Sequence, residues 1–163
     1  MRVASEVRDS TRRQPGDEIK VALKIGCMRN GNFHIMHVNT QTFLQEAGAA
    51  GGPLTLGNIN AAGIWTIDPV PGPDMVVSST IYDAQTQRYA SVAQPVPGEN
   101  VTAASQPYDF LIAQLSGGSY AIFLPGQDLF WDSNSTILNH IQLIPGNDII
   151  GNDNYFDIVP VLS

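Results

Sequence analysis

The chain has 163 residues, a formal net charge of −7, and only 14% charged side chains. That length suits one domain, and the low charge with 15 Gly and 11 Pro points to a loop-rich all-β protein. No apolar run approaches the roughly 20 residues of a membrane helix. The charge is split. Arg2, Arg8, Arg12, Arg13, Lys20, Lys24 and Arg29 place seven of eight bases in residues 1–30, so residues 31–163 hold Arg88 alone against eleven acids, a balance of −10. Such a body cannot neutralise a phosphate backbone or an anionic bilayer, so no nucleic-acid or membrane partner is expected.

Residues 1–17 are polar and end near Gln14-Pro15-Gly16, the composition of a flexible arm. Glu18–Gly26 alternates apolar residues with Lys20 and Lys24, which predicts a strand. Residues 1–30 are therefore expected to form a basic, partly flexible extension, with a turn at 27–32 and the domain proper at 31–163. Removing residues 1–17 is expected to leave the fold intact; an unchanged melting temperature checks this. The N-terminal residues lack the apolar core of a secretory signal, so a cytoplasmic location is expected.

A train of short strands follows: Phe33–Val38, Thr42–Gln45, Leu54–Leu56, Ile64–Val70, Met75–Tyr82, Tyr89–Ala93, Val101–Ala104, Tyr108–Leu115, Tyr120–Leu124, Leu129–Trp131, Ile141–Ile144 and Tyr155–Leu162. Gly51-Gly52-Pro53, Pro71-Gly72-Pro73, Pro97-Gly98, Gly117-Gly118, Pro125-Gly126 and Pro145-Gly146 separate them, each supplying a fixed or a positive φ for a tight turn. Ile64-Trp65-Thr66-Ile67 matches Asp109-Phe110-Leu111-Ile112 and Tyr155-Phe156-Asp157-Ile158, with the aromatics 45 and 46 residues apart. An aromatic and an aliphatic two residues on share one strand face, which predicts a common core position. Twelve strands in three repeats, about 31–72, 73–117 and 118–163, give four strands each. Three blades are too few to close a propeller.

Three four-stranded repeats of this size resemble a β-trefoil, a six-stranded barrel capped by three hairpins. Within that superfamily, Gly31-Asn-Phe-His-Ile-Met-His-Val38 and Ile141-Gln-Leu-Ile-Pro145 followed by Tyr155-Phe-Asp-Ile158 resemble small mushroom protease inhibitors of the mycocypin type. That resemblance implies a non-enzymatic binding protein acting through exposed loops on a cysteine or serine protease, as a monomer or homodimer. The matching loop residues are Gly51, Gly52 and Pro53, where a bare backbone would lie flat in a protease cleft, and Gln87 with Arg88, the domain's single base. The bland reading makes these an ordinary turn and a surface charge.

A second resemblance is to ricin-B-type lectins, whose Gln-x-Trp motif is replaced here: Gly63, Tyr108 and Asn154 precede Trp65, Phe110 and Phe156 by two. Sugar-binding residue types gather only in the third repeat, where Asp128, Asn139, His140 and Gln142 offer hydrogen bonds and Trp131 offers a stacking face. The alternative places Trp131 in the core or in hairpin packing. No catalytic group, cofactor or metal site is expected. His34 and His37 face opposite sides of a strand. Asn147–Asn154 lacks the ligand spacing of a calcium loop. The single Cys27 excludes an internal disulfide and a Cys-based zinc site. The sequons at Asn100 and Asn134 are not expected to be glycosylated in the cytoplasm.

Overall fold

The computed structural model describes residues 29–134 and 139–162. The predicted strand at Glu18–Gly26 lies outside them. Twelve strands run as β1 (Arg29–His37), β2 (Thr42–Glu46), β3 (Leu54–Gly57), β4 (Trp65–Val70), β5 (Val76–Asp83), β6 (Arg88–Ser91), β7 (Thr102–Ala104), β8 (Phe110–Gln114), β9 (Tyr120–Phe123), β10 (Leu129–Asn134), β11 (His140–Pro145) and β12 (Phe156–Pro160). Each of the other twelve predicted strands is present, with ends shifted by a few residues. The largest shifts are at β1 and β10. Arg29 and Gly31, read as extension and turn, pair with Val70 and Ile67 of β4, and the Arg29 guanidinium donates to the Tyr120 hydroxyl at 3.0 Å. Leu129–Trp131 continues to Asn134 because Asp132, Ser133 and Asn134 pair with Gln142, Ile141 and His140.

Six strands close a ring, each antiparallel to its neighbours: β1 to β4, β4 to β5, β5 to β8, β8 to β9, β9 to β12, and β12 back to β1. A closed ring leaves no barrel edge to pair with another chain. Alternation along each strand fills its interior. Ile35, Ile81 and Ile122 occupy corresponding positions on β1, β5 and β9, and Trp65, Phe110 and Phe156 do so on β4, β8 and β12, all buried. Ile67, Ile112 and Ile158 repeat the pattern two residues on, as the sequence repeat predicts.

The other six strands form three hairpins, β2–β3, β6–β7 and β10–β11. Their second strands join in a triangle through Pro53 with Thr102, Asn100 with Gln142, and His140 with Thr55. The matching cross-strand pairs Met36/Phe43, Tyr82/Tyr89 and Phe123/Phe130 set the register of the three repeats. By that register Leu44, Ala90 and Trp131 are equivalent, and all three are buried.

Candidate functional site

The loop residues read as inhibitory are held by the hairpin triangle. Gly51 N–H donates to the Ala103 carbonyl at 2.7 Å, and Ala103 N–H returns a bond to the Gly52 carbonyl at 3.0 Å. Pro53 stands opposite Thr102. The Gly51–Gly52 backbone is thus hydrogen-bonded to a neighbouring hairpin.

Arg88 is likewise committed. Its Nε stands 3.3 Å from Glu46 Oε1, and Nη2 donates to the Gly48 carbonyl at 3.2 Å. Thr86 hydrogen-bonds the same carboxylate, while Gln87 takes a left-handed φ of 63° in the turn between them. The structure does bring the two predicted loops together, but as a strut between the first and second repeats. The Glu46 carboxyl has only 5% of its side chain exposed, and burial above all holds its pKa up, with Asp83 adding and Arg88 and Thr86 opposing. Arg88→Ala is expected to cost about 1–3 kcal/mol at pH 7.5, because it strands a buried carboxylate. The cost should shrink at pH 4.5, where a Glu with a raised pKa takes up a proton. Urea denaturation at the two pH values checks this.

The predicted sugar set is dispersed. Trp131 is 0% exposed, and its ring meets Phe110 edge-on at 5.2 Å and Phe156 at 6.1 Å. It is core, not a sugar platform, because strand alternation turns it to the same face as buried Leu129. Asp128 is exposed and its carboxylate accepts from Gly146 N–H at 3.3 Å. Asn139 makes a left-handed turn at φ 57°, and its carbonyl accepts from Leu56 N–H at 3.2 Å. His140 is half-buried opposite Thr55.

Gln142 of that set lines a cleft, and the residue beside it there is one that composition and motif reading passed over. Asp132 stands directly across from Gln142 on the β10–β11 hairpin. Together with Ile144, Asp148 and the Pro97–Gly98 turn of the second repeat they bound a cleft of about 320 Å³. That volume lies at the lower end of small-molecule sites. Gln142 Nε2 donates to Asn100 Oδ1 at 3.2 Å across the repeat junction. Asp132 is only 8% exposed, and its Oδ1 has no hydrogen-bond partner. Burial, with a smaller contribution from the Asp153 carboxylate, pushes its pKa from 3.8 up to about 6.

Asp153 is positioned from the first repeat. Asn39 Nδ2 donates to its Oδ1 at 2.8 Å, and buried His37 holds its backbone carbonyl through Nε2 at 2.9 Å. His37 Nδ1 meets the Thr40 hydroxyl at 2.8 Å. With Nε2 facing a carbonyl, Nε2 carries the proton and Nδ1 accepts. Burial lowers the His37 pKa against the pull of Asp153, which favours that neutral form. His34, on the other face as expected, bonds the Gly63 carbonyl at 2.9 Å. Among the described residues no group of three or more His, Cys, Asp and Glu side chains is placed to hold a metal ion.

No family model matches the chain, and no curated protein matches it in sequence. Solved structures do. The designed threefold-symmetric protein ThreeFoil aligns with a TM-score of 0.64 at 12% identity, over 80% of this chain and 99% of that one. The Macrolepiota procera ricin B-like lectin, solved with lactose, aligns with a TM-score of 0.66 at 17% identity, over 80% and 96%. The Rhizoctonia solani agglutinin aligns with a TM-score of 0.63 at 16% identity, over 80% and 94%.

The fold is a β-trefoil.

At these identities the likeness is one of fold alone, and it does not single out mushroom inhibitors. Within the trefoil, the residues equivalent to Asp132 and Gln142 are Gln45 with Thr55 in the first repeat and Ser91 with Thr102 in the second. Gln45 Nε2 donates to the Thr55 hydroxyl at 3.3 Å, and the Thr102 hydroxyl donates to the Ser91 carbonyl at 3.5 Å. Only the third repeat puts an acid at this position. The trefoil's threefold symmetry is broken there by a buried carboxyl group on a cleft.

Proposed function

We propose that this trefoil is a carbohydrate-binding protein, acting without chemistry through the third-repeat cleft. The observation that carries the reading is the Asp132 carboxyl oxygen, buried, unpartnered and bordering a cleft. Buried polar atoms are normally satisfied, and an acceptor left open in this way suits a ligand that brings hydroxyl donors. Gln142 beside it offers an amide, which both donates and accepts. Pro97, Ile144 and Pro145 supply the apolar part of the wall, in place of the aromatic platform once expected at Trp131. The lectins among the similar structures lend support, since the same scaffold carries sugar sites in them.

A glycan array followed by calorimetry tests this. The chain is expected to bind a subset of glycans, and Gln142→Ala to weaken binding about tenfold, the effect of one hydrogen bond and its stranded partner. Ser91→Ala, at the second-repeat counterpart of Asp132, should leave binding unchanged. An array without signal, or a Gln142→Ala protein that binds as well as the parent, would refute the assignment.

A further inference from the structure

The charges around the cleft sharpen what it selects. Asp132 forms its floor and Asp148 its rim, and Asp153 lies close enough to disturb the Asp132 titration. Among the described residues, the neighbouring elements bring no cation. Gln142 faces Asp132 from β11, and His37, reaching Asp153 from β1, is held neutral. Among the described residues the two arginines are occupied elsewhere, Arg29 against Tyr120 and the Phe33 ring and Arg88 on Glu46. A carboxylate withdrawn from water, with one oxygen unpartnered and a second acid beside it, is costly unless a positive group meets it. A carboxylated or sulfated sugar would add a like charge and be repelled.

Resting on the carbohydrate-binding reading above, we infer that the cleft selects a saccharide unit carrying a free ammonium group, a deacetylated amino sugar, with Asp132 as its counter-ion. The ammonium would bring the Asp132 carboxylate a counter-charge and a donor, and the sugar hydroxyls would engage Gln142. The geometry asks for charge and donors together, which an acetamido sugar does not bring. Ionised Asp132 is the binding-competent form. With its pKa near 6, acidification from pH 7 to pH 5 should weaken binding about tenfold as the free carboxyl takes up its proton.

Calorimetry of the full chain at 0.15 M salt, with a glucosamine tetramer and with its fully N-acetylated counterpart, tests the inference. The free-amine tetramer is expected to bind at least tenfold tighter at pH 7, and to lose that advantage at pH 5. Asp132→Asn keeps one acceptor oxygen, turns the other into an amide donor and removes the charge. It should abolish the preference, so that the two tetramers bind alike. Equal or tighter binding of the acetylated tetramer overturns the ammonium assignment and leaves carbohydrate binding standing. A preference that survives in Asp132→Asn also overturns it, since the attraction would then be to the acidic surface at large. Failure of every glycan to bind removes the broader reading, and this inference with it.

Discussion

Trp131→Ala is expected to destabilise the trefoil by about 3–5 kcal/mol, the range for deleting a large aromatic from a packed core. The indole is 0% exposed and stands edge-on to Phe110 and Phe156, two of the three aromatics of the sequence repeat. Its equivalents are Leu44 and Ala90. The third repeat thus supplies much of the volume at this threefold position, and truncation leaves nothing large enough to collapse into the gap. Urea denaturation should show the midpoint fall with little change in slope. Trp131→Phe should recover most of the loss, since it restores a ring and removes an indole N–H that has no partner. A cost below 1 kcal/mol for the alanine variant would contradict a core position. Loss of glycan binding in Trp131→Ala would therefore report unfolding, not a missing sugar contact.

Asp132→Asn is expected to act in the opposite direction, raising stability by about 1–3 kcal/mol at pH 7.5. The folded state raises the Asp132 pKa from 3.8 to about 6. Between those values the native state binds more protons than the unfolded chain, so stability falls as pH rises. Above pH 6 the full cost of a buried, unpartnered carboxylate is present; below about pH 4 it is absent. Asparagine is neutral throughout and nearly isosteric. The gain should be large at pH 7.5 and close to zero at pH 4, read from denaturant midpoints at the two pH values. No gain at pH 7.5 would mean that the carboxylate is well solvated or paired. A residue that lowers stability at neutral pH, in a repeat whose counterparts are Gln45 and Ser91, is a mark of a functional position.

The two neighbours Trp131 and Asp132 show how far local reading reaches. Alternation from Leu129 assigns Trp131 to the core, so its burial was legible, and the aromatic platform was a resemblance set against that pattern. Alternation equally turns Asp132 outward, where an acid is ordinary. The cleft that it lines is completed by the Pro97–Gly98 turn of the second repeat and the Asp148 turn that follows β11. The former lies more than thirty residues away in sequence. Gly51 and Arg88 show the same limit. Their loop positions were legible, but Ala103, which holds Gly51, and Glu46, which holds Arg88, stand over forty residues distant in the chain.

Strand positions, turn positions and the threefold repeat were therefore encoded locally, since period-2 burial and turn chemistry act over a few residues and the 45- and 46-residue spacing repeats them; the barrel was implied by the trefoil resemblance and closed by the pairing of β12 with β1 and β9. Which polar groups are spent and which remain open was decided only when the three hairpins met. Hydrogen-bond satisfaction and desolvation depend on neighbours brought in by the fold. The candidate site is a matter of tertiary contact, at the one threefold position where the contact leaves a carboxyl unanswered.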